Sequence, residues 1–61
     1  MKRHELLKKL HDENCEFLKH GSRHDIYINP VNLRRAPVPR HNEIPDSLCR
    51  LILKQLGIDE K

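Results

Sequence analysis

A chain of 61 residues with twelve Lys and Arg against nine Asp and Glu makes one domain near the size at which burial only just offsets chain entropy, and its basic excess favours polyanions as partners. One Phe, one Tyr and no Trp leave too few aromatics for the stacking platforms that single-strand binders use, so contacts to any RNA are expected to be mostly ionic. No apolar run reaches the roughly eighteen residues of a membrane span, which excludes transmembrane readings. Cys15 and Cys49 lie far apart with no signal peptide ahead of them, the pattern of reduced, half-buried thiols in a cytoplasmic protein.

The first element is an amphipathic helix from Lys2 to about Glu13, in which Leu6, Leu7 and Leu10 recur at helical spacing. Asn14 ends it, and Cys15 to Lys19 reads as a first strand. Gly21 can take φ > 0 and let the chain turn sharply into a second strand, Asp25 to Ile28, where Ile26 and Ile28 share a face opposite Tyr27. Asn29-Pro30-Val31-Asn32 is a turn. A third strand, Leu33 to Val38, carries Pro37, so the strand either sits at a sheet edge there or ends there, and Pro39 closes it. After a polar loop, Asp46 is the expected N-cap of a second helix that runs to about Leu56 and stops at Gly57. The fold class is therefore α+β, an α-β-β-β-α domain over residues 1–61 with both helices on one face of a three-stranded antiparallel sheet. The expected core is Leu6, Leu7, Leu10, Phe17, Ile26, Ile28, Val38, Leu48, Leu51, Ile52 and Leu56.

The chemistry concentrates in His20-Gly21-Ser22-Arg23-His24. An imidazole exchanges protons near neutral pH, and a guanidinium beside it fits phosphate oxygens, a pairing suited to cleaving an RNA backbone. A hairpin turn with solvated polar residues is the plainer alternative. By strand alternation His24 shares a side with Ile26 and Ile28, which would direct it toward the core layer, with its place beside the turn leaving it at the rim. Ser22, Arg23, Arg34, Arg35, Arg40 and His41 are the expected RNA contacts, the arginines forming a belt along the turns and edge; edge protection is the competing role of Arg34 and Arg35. His41 or His20 could also serve as a base. Zinc on Cys15, His20 and His24 is disfavoured because paired ligands at short spacing do not occur twice, so no metal and no cofactor is expected.

Gly21-Ser22-Arg23-His24-Asp25-Ile26-Tyr27, then Pro37-Val38-Pro39-Arg40-His41-Asn42-Glu43-Ile44, then Leu48 through Ile58, together with the order of elements, resemble the HicA family of toxins from bacterial toxin–antitoxin systems. The resemblance implies a double-stranded-RNA-binding-domain-like fold and an mRNA interferase, an endoribonuclease that works without the ribosome. It also implies an HicB-type antitoxin as partner beside the RNA. In the family an essential His stands three residues before an aromatic, so the resemblance gives His24, three residues before Tyr27, the catalytic role of general acid. A non-catalytic RNA-binding module on the same fold is the alternative function, and a protein whose only task is to hold the antitoxin is a third. The sequence leaves a homodimer of the free protein open.

Overall fold

The computed structural model describes residues 1–58, so the last three residues of the single expected domain lie outside the described residues. The chain runs α1 (Arg3–Asp12), β1 (Glu16–His20), β2 (His24–Asn29), β3 (Arg34–Pro39) and α2 (Asp46–Gln55). The strands form one antiparallel sheet in the order β1-β2-β3. The α-β-β-β-α architecture expected from sequence is the one observed.

Both helices end by the same device. After α1, the Cys15 N–H donates to Leu10 O at 2.8 Å and the Asn14 N–H to His11 O at 2.9 Å, with Asn14 left-handed at φ 67°. After α2, Ile58 donates to Leu53 O at 2.9 Å and Gly57 to Lys54 O at 3.0 Å, with Gly57 at φ 75°. These are paired Schellman closures, which a residue tolerant of the left-handed region makes available. The start of α2 differs from expectation. Pro45, not Asp46, occupies the N-cap position and offers no side-chain bond. Asp46 is the first helical residue, where a carboxylate complements the positive end of the helix, and it meets the Met1 ammonium at 3.2 Å. The segment after β3 lies along the start of the chain, with Arg3 N–H donating to Asn42 O at 2.8 Å and Ile44 N–H to Met1 O at 2.9 Å. That alignment buries Ile44.

The core is one cluster: Leu6 and Leu10 of α1, Cys15, Ala36 and Val38 of β3, Ile44, Cys49, Ile52, Leu53 and Leu56 at α2, and Ile58. Since α1 and α2 share it with β3, both helices cover the same sheet face. Four of the expected core residues are displaced. Ala36 pairs with Tyr27 and Val38 with Asp25, and directly paired residues share a face, so the helix side of β2 carries Asp25, Tyr27 and Asn29. Ile26 and Ile28 therefore fall on the uncovered face, where they are only half-buried. Phe17 lies on the helix side, opposite Tyr27, yet it is 46 % exposed because β1 is the outer strand. On α2 the buried stripe is Cys49, Ile52, Leu53 and Leu56, one residue round from the expected set, leaving Leu51 48 % exposed.

Candidate active site on the first hairpin

The turn between β1 and β2 is closed by the Gly21 N–H, which donates to His24 O at 2.6 Å. Glycine is required there for space and not for handedness. A Cβ on Gly21 would lie 2.9 Å from the His24 carbonyl oxygen, whereas Gly21 is not among the residues with positive φ, so the left-handed freedom that glycine offers is not used in this turn. His24 opens β2, pairs with Pro39 and is exposed. It does share a face with Ile26 and Ile28, but that face is the uncovered one, so the imidazole is directed away from the helices and not toward a core layer. Across the turn stands Gly21, which carries no side chain. Ser22 and Arg23 are exposed beside it.

The other face of the same hairpin holds a cluster centred on Asp25, whose side chain is 13 % exposed. Its Oδ2 accepts from Arg3 Nη2 at 2.8 Å, and its Oδ1 accepts from Arg40 Nε at 3.0 Å and lies 2.8 Å from His20 Nδ1. Arg3 Nε also donates to Pro39 O at 2.8 Å. Arg40 Nη2 donates to the Gly21 and His24 carbonyls at 3.0 and 3.3 Å. The hydrogen bond from His20, then the bond and charge of Arg40, hold the Asp25 carboxyl below its ordinary range, with desolvation opposing them. One carboxylate thus faces two guanidiniums, which leaves a unit of positive charge at this corner. The cluster ties α1, the turn and the end of β3 together.

Phe17 extends this surface along β1. Its ring centroid lies 4.8 Å from that of His20 and 5.8 Å from that of Tyr27, the latter edge-on at 75°. The imidazole is therefore fixed twice, by Asp25 at one nitrogen and by Phe17 at its side, while its side chain stays 74 % exposed.

The expected RNA contacts are distributed unevenly. Arg23 and Ser22 lie at the turn beside His24, and Arg40 is at the same end but is engaged in holding the turn together. His41 follows it, exposed. Arg34 and Arg35 pair with Asn29 and Ile28 at the far end of the sheet, about five strand residues or 17 Å away, and they point to opposite faces, so the arginines do not form one continuous belt. Sequence reasoning missed Arg3, which meets Asp25 across 22 positions with no local signal. The His20–Asp25 pair was within reach, because counting the register back from a tight turn sets the two opposite each other. Cys15 and Cys49 are free and buried, and burial pushes both thiols up, so neither is presented as a nucleophile. Among the described residues no group of three or more His, Cys, Asp or Glu could hold a metal ion, and no helix is long and apolar enough to cross a membrane.

No curated protein and no solved structure matches the chain significantly. A family model does. That of the HicA toxin of bacterial toxin-antitoxin matches residues 3–58, a span that includes the turn, His24, the Asp25 cluster and both helices, and on that match the chain belongs to the HicA toxin family.

Proposed function

We propose that this toxin is an mRNA interferase, a metal-independent endoribonuclease with His24 as its general acid. The 2′-hydroxyl attacks the adjacent phosphorus and gives its proton to solvent, the bond from phosphorus to the 5′-oxygen breaks, and the His24 imidazolium protonates that leaving oxygen. The products are a 2′,3′-cyclic phosphate and a 5′-hydroxyl. Arg23 beside the site stabilises charge gathering on the phosphate, with Ser22, Arg40 and His41 contacting RNA around the turn and Arg34 and Arg35 further along it. The observation that carries the reading is the exposed His24 on the uncovered sheet face, beside the exposed Ser22 and Arg23 of the turn.

The partner proposed is an HicB-type antitoxin in the cytoplasm, whose acidic surface covers His24 and the neighbouring basic groups. Purified protein incubated with RNA in EDTA should yield cyclic-phosphate ends, and the antitoxin should suppress them. Binding of RNA without any cleavage would instead establish a non-catalytic RNA-binding module. Activity that is lost in EDTA and restored by magnesium or zinc would overturn the metal-independent mechanism.

A further inference from the structure

On the face of the hairpin opposite His24, we infer that Phe17 and His20, too few for the multi-base platform of a single-strand binder, nevertheless form a platform on which one unpaired nucleobase of RNA stacks. The inference rests on the RNA-cleaving reading and extends it to the nucleotides that flank the cut.

The only Phe of the chain stands on the outer strand, 46 % exposed and outside the core, with the exposed His20 ring 4.8 Å away. Both rings are held before any ligand arrives. Tyr27 supports Phe17 edge-on from the sheet side, and Asp25 fixes His20 through Nδ1 at 2.8 Å. A prearranged pair of rings loses little freedom on binding a third, which is the condition for a useful stacking surface.

Charge selects the occupant. Arg3 and Arg40 share the single charge of Asp25, which itself lies 2.8 Å from His20 Nδ1, so the rings are bordered by a surplus of positive charge on their own face. A nucleobase brings a π face together with its own phosphate, and it satisfies both features. A broad apolar protein surface would leave these cations without partners. The position also fits a flanking nucleotide. His20 and His24 bracket the same turn from opposite faces, and β1 is a free edge, so a single strand that passes round that edge lies on both faces within a few nucleotides.

The test uses a short 2′-O-methyl RNA, which cannot be cut, carrying 2-aminopurine, whose fluorescence falls when it stacks. Wild type should quench it. Phe17→Ala should weaken binding by about tenfold and lose the quenching, while Phe17→Trp keeps both. The dependence of affinity on salt should be the same in all three, because stacking releases no counterions. Should Phe17→Ala melt below the assay temperature, His20→Leu reads the same platform.

Unchanged affinity and quenching in these variants would overturn the platform. Loss of antitoxin binding with RNA affinity intact would also overturn it, making this edge a protein interface. Because the probe is uncleavable, a wild type that stacks the probe but cuts no RNA refutes the nuclease reading alone, and a wild type that cuts RNA while Phe17→Ala binds normally refutes the platform alone.

Discussion

The two ends of the sheet are both locked by polar side chains, but by different chemistry. At the β1–β2 end the lock is ionic, Asp25 between Arg3, Arg40 and His20, and it leaves positive charge over. At the β2–β3 end the lock is neutral. Asn29 and Asn32 both donate through Nδ2 to Leu56 O, at 2.9 and 3.1 Å, while Asn29 Oδ1 accepts from Val31 N–H at 3.0 Å and Asn32 Oδ1 from Arg34 N–H at 2.8 Å. Amides satisfy the end of α2 without creating a field, so this lock adds stability alone. Ions placed at the other end hold a turn, and on the proposed reading they also present a surface to phosphate, so that the ionic lock would serve function where the neutral one serves cohesion.

The sharpest separation comes from His24→Ala. It should lower RNA cleavage by at least about a hundredfold, the usual contribution of a proton-transfer group, with an unchanged melting temperature, because the exposed imidazole supports no packing. Residual activity near that of wild type would return His24 to the solvated surface. At the opposite end, Asn29→Ala should do the reverse. Asn29 is buried and makes two bonds, so its loss should cost about 1–3 kcal/mol and lower the melting temperature by several degrees, with RNA affinity intact. A weakened affinity in a still-folded Asn29→Ala would break the proposed division.

Acid should distinguish the two locks. The Asp25 carboxyl is held below its ordinary value of 3.8. A carboxylate depressed in the folded state contributes stability that is present above the unfolded value and is lost as pH falls through the folded one. Wild type should therefore destabilise below pH 3.8, with Asp25→Asn showing less of that dependence and Asn29→Ala all of it, as read from urea midpoints at a series of pH values. The smallest effects concern single phosphate contacts. Arg23→Gln should reduce the slope of log affinity against log salt by about one. Arg34→Gln should change it least, since Arg34 lies at the cohesive end with its Cδ 3.4 Å from where a Gly57 Cβ would stand. Equal slopes for the two variants would remove the distinction between the ends.

Much of this was legible in the sequence, and what was not has identifiable causes. The elements and their order follow from spacing and stop signals, and Asn14 and Gly57 end the helices as their tolerance of positive φ suggests. Alternation in β2 separates Ile26 and Ile28 from Tyr27, but it does not say which set the helices cover. That choice belongs to the pairing with Ala36 and Val38. It also carries Asp25 to the helix side, an unpromising place for a carboxylate until Arg3 arrives from α1, and no local pattern announces an arginine 22 positions away. On α2, Leu51 and Leu53 are equally apolar, and a rotation of one residue decides between them. The exposed Phe17 was misread for the same reason, since an aromatic in a strand signals burial only where a neighbouring layer covers it.

The prolines of β3 reach beyond the strand they shape. Pro37 and Pro39 sit two apart on β3, the edge strand across the sheet from β1, opposite Ile26 and His24, so their ring nitrogens face the same way, outward, and cannot donate to an added strand. β1, at the other margin, contains no proline and meets solvent with every residue exposed. A sheet with one receptive margin and one sealed margin has no means of propagating: if two copies join through β1, both receptive margins are consumed and only sealed ones remain. Growth into a fibre needs a second margin that this chain does not offer, so assembly through its strands terminates at a pair.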